Sequence, residues 1–242
     1  ATIVLDDADL EKAIDLSVIT KSRNSGQVCI SPTRFFVQEA IYDQFLSEFS
    51  EKFAALRLGN GLDEDTQMGP LANPRRIGEL DALVEDAVSK GATLVTGGKK
   101  LDRAGNFYEA TVLANVPDSA RIMQEEPFGP IAVINKFKQY DEAIEKANNT
   151  DFALASYAFS GSKETIDKLP DTVKIISNFA VGFGNIDLEA AKKKGITVTN
   201  TPEVLSDATA EIGILLILGA CRRAAEGIES AREGGWKWSA DY

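Results

Sequence analysis

The feature that most restricts the fold of this chain is an alternation of two periodicities. Segments whose apolar residues recur every three to four positions trade places with short runs of β-branched and aromatic residues. These are the marks of amphipathic helices and of strands. Asp6 and Asp7 precede Leu10, Ile14, Val18 and Ile19, which predicts a helix over about 8 to 23. Asn24-Ser25-Gly26-Gln27 breaks that pattern and delivers Cys29 on a turn, ahead of a strand from Thr33 to Gln38. Ile41, Phe45, Phe49 and Phe53 then make one apolar stripe on a helix over about 39 to 57. Pro74 opens a helix running to about Lys90, where Gly91 supplies the stop.

Further on, strands are predicted at 93–96, 107–113 and 131–136, a helix at 140–149 and a strand at 154–159. The order continues with helix 162–169, strand 173–178, helix 187–194, strand 196–199 and one long helix from about 206 to 233. Such an order predicts an α/β protein, a mostly parallel sheet covered by helices. Pro170-Asp171, between a helix and a strand, is the candidate seam.

Charge and composition narrow the function classes. A net charge of −11, with no long basic stripe, argues against nucleic acid as a partner. The longest apolar run, Ile212 to Ala220, is too short to span a bilayer, and no basic-then-apolar signal opens the chain, so a soluble cytoplasmic protein is expected. Two cysteines, Cys29 and Cys221, far apart in sequence, make neither a disulfide framework nor a metal spacing. Histidine is absent. No Ser-His or Cys-His pair, His-liganded metal or His general acid exists in this polypeptide.

That leaves Cys29 as the candidate nucleophile. Its neighbours Asn24 to Gln27 are small and polar, able to turn the backbone, expose the thiol and aim an amide N–H at an oxyanion. Read from the residues alone, the opposite account is open, because most cysteines are buried filler. Glu126 reads equally as an exposed turn acid, and Phe128, between Pro127 and Pro130, as a core plug.

The segment Asn24-Ser25-Gly26-Gln27-Val28-Cys29-Ile30-Ser31-Pro32-Thr33-Arg34 resembles the nucleophile segment of NAD(P)-dependent aldehyde dehydrogenases. Ile3 to Asp9, Met68-Gly69-Pro70-Leu71, Gly97-Gly98 and Glu125-Glu126-Pro127-Phe128-Gly129-Pro130 follow in that family's order. The resemblance covers about residues 1 to 163, loosely of the succinate-semialdehyde branch, and implies that family's catalytic-domain fold. It implies an aldehyde substrate attacked by Cys29, a thiohemiacetal and then a thioester, with the Cys29 N–H in the oxyanion hole. It further implies NAD(P) as cofactor, Glu126 on the nicotinamide ribose and Phe128 beside the nicotinamide. The family's dinucleotide-binding domain is expected ahead of residue 1. Its activating carboxylate and oxyanion-hole asparagine match no residue here.

From about 169 to 242 the chain resembles a different family, the D-2-hydroxyacid dehydrogenases of the glyoxylate or hydroxypyruvate reductase kind. The residues are Leu169 to Ser177, Val181-Gly182-Phe183-Gly184-Asn185-Ile186-Asp187, Gly195 to Pro202, Ala208 to Glu211 and Arg222-Arg223. There Val181 and Gly182 would offer backbone N–H groups to a substrate carboxylate. Read structurally, the two glycines 182 and 184 merely permit a tight turn.

The chain is thus expected to be a chimera, 1–163 and 164–242, in which βαβ units of the second family continue the sheet of the first. Without histidine the second family's reduction lacks its proton donor, so a non-catalytic scaffold is the third reading. The helix from Ala208 to Ala231 is expected to pack on the sheet or on a partner, with Cys221 as buried filler. Trp236 and Trp238 are expected to cap a core edge or mark an exposed patch. Open sheet edges and an apolar helix make a homo-oligomer the expected assembly.

Overall fold

The computed structural model describes residues 1–151, 154–162, 175–177, 186–200 and 206–232. By their contacts they fall into two compact units, Ala1–Ser162 and Lys163–Tyr242.

The first unit is a six-stranded sheet between two layers of helices. In chain order its elements are β1 Thr2–Val4, α1 Leu10–Ser22, β2 Arg34–Gln38, α2 Glu39–Ala54, α3 Arg75–Ser89 and β3 Thr93–Thr96. They continue as β4 Thr111–Ala114, β5 Ile131–Phe137, α4 Tyr140–Asn148 and β6 Tyr157–Phe159. The strands lie in the order β3-β4-β5-β2-β1-β6, and every neighbouring pair is parallel except β3 with β4.

β2 shows why both faces are covered. Phe35, Phe36 and Val37 are all fully buried. Alternation sends Phe35 and Val37 to one side, against Ile14 and Val18 of α1 and Phe45, Phe49 and Phe53 of α2. Phe36 goes to the other side, against Leu80, Leu83 and Val84 of α3 and Ala143 of α4. A run of apolar residues without alternation of polarity is what a parallel strand buried on both faces requires.

The ends of the helices follow from local chemistry. α1 starts where Asp9 Oδ1 accepts the Lys12 N–H at 3.1 Å. α3 stops where Gly91 takes φ +103° and the Ala92 N–H reaches back to the Ala87 carbonyl at 3.0 Å.

Several expectations are corrected here. The opening helix ends at Ser22, and Arg23 already belongs to a tight turn, Arg23–Gly26. The strand expected at 107–113 shortens to β4, because Tyr108 makes only an isolated bridge to Lys100. β1 was not anticipated, since three residues are too few to show a period.

The second unit holds β7 Ile175–Ser177, α5 Leu188–Lys193, β8 Thr197–Thr199, α6 Ser206–Cys221 and α7 Ala224–Arg232. β7 and β8 are parallel and, among the described residues, form a two-stranded sheet of their own rather than continuing the six-stranded one. The long helix expected over 206–233 is two helices. Arg223 adopts φ +55°, a left-handed conformation that ends the α6 spiral. In α6, Ile212, Leu215 and Leu216 are 55%, 62% and 67% exposed, and Cys221 is exposed rather than buried as expected. Among the described residues no helix is long and apolar enough to cross a membrane. Residues 163–169 of the helix expected over 162–169, and Val181, Gly182, Trp236 and Trp238, lie outside the described residues.

Candidate active site around Cys29

Cys29 follows three consecutive left-handed residues. Asn24, Ser25 and Gly26 have φ of +49°, +54° and +72°. Asparagine visits this region at small cost and glycine at none, while serine there is strained. Side-chain bonds offset the strain. Ser25 Oγ donates to the Gly69 carbonyl at 2.6 Å, and Asn24 Nδ2 donates to the Gln27 carbonyl at 3.0 Å. The Gln27 side chain donates to the Asn24 carbonyl and accepts the Ala72 N–H, both at 3.0 Å. Gly26 is required for a second reason: a Cβ on it would lie 2.1 Å from the Gly129 carbonyl oxygen.

That close approach seats the Cys29 turn on the Glu125–Pro130 strap. Cys29 then occupies a turn closed by the Ser31 N–H donating to the Val28 carbonyl at 2.8 Å, with its thiol exposed. Cys29 and Glu126 line one cavity of about 260 Å³, together with Ser31, Thr33, Gln124 and Pro127. The Cys29 N–H meets no acceptor among the described residues. An unoccupied donor beside a thiol is what a developing oxyanion needs.

Next to Cys29 in the chain, the Ile30 carbonyl accepts the Tyr157 hydroxyl at 2.7 Å. Burial pushes that phenol up, with negative charge on Cys29 the lesser cause. Arg34 lines the same cavity, but Nη1 donates to the Lys146 carbonyl at 3.2 Å and Nη2 to the Ala147 carbonyl at 3.1 Å, the last turn of α4. Burial lowers its pKa, and Asp118 opposes that.

Phe128 does not line the cavity. It is half-buried, with φ +42°. The structure thus brings Cys29 and Glu126 together and places Phe128 beside them on the strap, while Val181 and Gly182 lie outside the described residues.

Two residues escaped the sequence reading. Arg76 of α3 donates to the carbonyls of Glu126 and Phe128, each at 3.3 Å. Lys21 is fully buried with no hydrogen-bond partner for its Nζ among the described residues, and burial pushes its pKa down to about 7, against the charge of Glu126. A signal for Lys21 did exist: the stripe Leu10, Ile14, Val18 reaches position 21 at its next step of three. Arg76 had none, because its partners lie about fifty residues away. Among the described residues no group of His, Cys, Asp or Glu is arranged to hold a metal ion.

The first unit is thus a three-layer α/β fold with an exposed cysteine on a strained helix-to-strand turn, in one cavity with Glu126 of the strap. Residues 1–180 match the Aldehyde dehydrogenase family, and the chain belongs to it. The match runs past residue 163, the boundary expected from sequence.

Among its relatives, the glutarate-semialdehyde dehydrogenase of Pseudomonas putida is 38% identical over 80% of this chain and 42% of its own length. The NADP(+) succinate-semialdehyde dehydrogenase of Escherichia coli is 35% identical with the same coverages. The mitochondrial succinate-semialdehyde dehydrogenase of Oryza sativa is 44% identical over 80% of this chain and 38% of its own length. The solved aldehyde dehydrogenase of Brucella melitensis biovar abortus superposes with a TM-score of 0.66 at 39% identity, over 69% of this chain and 35% of that one. Lactaldehyde dehydrogenase of Escherichia coli gives 0.65 at 33% identity, over 83% and 38%. The chain therefore spans about two fifths of the length of these relatives.

Proposed function

We propose that this chain carries the nucleophile half of an aldehyde-oxidising active site, with Cys29 as the attacking thiol. The observation that carries the reading is the single cavity shared by the exposed Cys29 and Glu126. In the first step the Cys29 sulfur bonds to the aldehyde carbon, the carbonyl π bond breaks, and the thiol proton ends on the carbonyl oxygen. The Cys29 N–H donates to that oxygen while it is negative.

NAD(P)+, the cofactor proposed, supplies a hydride acceptor when bound. Glu126 presents a carboxylate at the cavity that fits ribose hydroxyl donors, whereas Phe128, on the same strap, packs against Arg76 outside the cavity. The donor set fits the group.

The substrate class we propose is a small semialdehyde, supported by the names of the relatives above. A cytoplasmic location and self-association through the exposed α6 are part of the same proposal. For the end of the chain, beyond the residues 1–180 that match the aldehyde dehydrogenases, we propose descent from a D-2-hydroxyacid dehydrogenase-like source. Its separate compact unit and its parallel β7-α5-β8 arrangement support that origin.

The test is protection mapping. The chain is alkylated with iodoacetamide with and without a short-chain semialdehyde, and labelling of Cys29 and Cys221 is read by peptide mass. Selective slowing at Cys29 is expected. Equal protection of both thiols, or of neither, overturns the reading.

A further inference from the structure

We propose that Arg76 is a positioning residue that fixes the Glu126–Phe128 strap relative to Cys29. The inference rests on the reading of Cys29 and Glu126 as one site, and it concerns what holds them in register. Phe128 is a bulky residue with φ +42°, a backbone conformation that persists only where neighbours impose it. Pro127 and Pro130 restrict the strap but cannot select that conformation, since neither touches φ of residue 128.

Arg76 supplies the selection. Its Nε donates to the Phe128 carbonyl and its Nη2 to the Glu126 carbonyl, each at 3.3 Å, so one planar fork spans both residues. Its guanidinium carbon lies 5.9 Å from the centre of the Phe128 ring, adding a cation–π contact. Nη1 is held by the Glu79 carboxylate one turn along α3, which keeps the fork from swinging away. The loop leading into α3 does the matching work on the other half of the site, because the Gly69 carbonyl accepts from Ser25 Oγ and the Ala72 N–H donates to Gln27 Oε1. One continuous stretch, 69–76, therefore grips both the nucleophile turn and the strap, and among the described residues Arg76 is its only contact of this kind with the strap.

The test uses the whole chain with Cys221→Ser, which leaves Cys29 as the one thiol. Rates of alkylation by neutral iodoacetamide and anionic iodoacetate are measured, and their ratio reads the negative charge beside the sulfur. Glu126→Gln is expected to raise the anionic-to-neutral ratio about threefold when Arg76 is present. In the Arg76→Met chain the same substitution is expected to change the ratio less than about 1.5-fold, because Glu126 no longer holds its place. Taking the effect of Glu126→Gln within each background cancels the charge lost with Arg76.

Arg76→Lys keeps the charge without the fork and is expected to behave like Arg76→Met. An undiminished threefold effect in both variants overturns the proposal, even if they melt earlier, since a merely structural arginine lowers stability without altering this cycle. Should Arg76→Met fail to fold, Arg76→Lys with amide exchange at 125–129 decides: faster exchange confined to the strap supports the assignment, unchanged exchange sinks it. If semialdehydes fail to protect Cys29 while the cycle collapses as expected, the chemistry assigned to the site falls and the role of Arg76 stands.

Discussion

At the scale of single residues, Lys21 gives the sharpest expectation. Its amine titrates near 10.5 when the chain is unfolded and about 7 when folded, chiefly because burial disfavours the ammonium. Between those values the folded state binds fewer protons than the unfolded one, so stability rises with pH through that window. The slope is at most about 1.4 kcal/mol per pH unit, and the full penalty applies below pH 7. Lys21→Met is expected to raise stability at pH 7 and to flatten this dependence, read by urea unfolding at pH 7 and pH 9. An identical pH slope in both proteins would show that Lys21 is not the source. Gly26 offers a second expectation. Gly26→Ala adds a Cβ where the Gly129 oxygen stands and does so at φ +72°. A loss of roughly 2–4 kcal/mol is expected from the clash and the left-handed backbone together, measured as a shift in the denaturation midpoint.

At the scale of elements, α2 and β2 set one of the two large cores. Phe49 stacks on Phe45 with centroids 5.8 Å apart and packs on Phe35 and Phe53 at 5.4 and 5.3 Å. Phe49→Ala is expected to cost about 3–5 kcal/mol, whereas Ile41→Ala, on the half-buried flank of the stripe, costs about 1–2. Equal losses at the two positions would mean that the stripe is not the packed face. Elements of this kind were legible in the sequence, because an interval of four on a helix or a continuous apolar run in a strand is written locally. Their ends were less so. Arg23 and Arg223 both sit where a helix stops, and neither is a glycine or proline that would have marked the place. The three-residue β1 owes its existence to hydrogen bonding with β2 and β6, which no local pattern announces.

At the scale of the whole molecule, both large hydrophobic clusters lie within Ala1–Ser162. A chain ending at Ser162 is therefore expected to melt cooperatively at an unchanged midpoint and to keep the reactivity of Cys29. It is also expected to lose binding of an apolar dye, since the exposed Ile212, Leu215 and Leu216 go with α6. A truncated chain that melts without cooperativity would show that the first unit does not fold by itself. The sequence alone determined the α/β class, the stripe helices, the doubly buried strands and Cys29 as a candidate, and its family resemblance added Glu126 and Phe128. Each of these is carried by spacing or by a contiguous motif. Only the tertiary structure decided that Cys29 is open while Lys21 is sealed, that Glu126 rather than Phe128 shares the cavity, and that Arg76 grips the strap. Those outcomes depend on close approaches between residues distant in the chain, such as Gly26 against Gly129, and burial is a property of the packed assembly that no single segment contains.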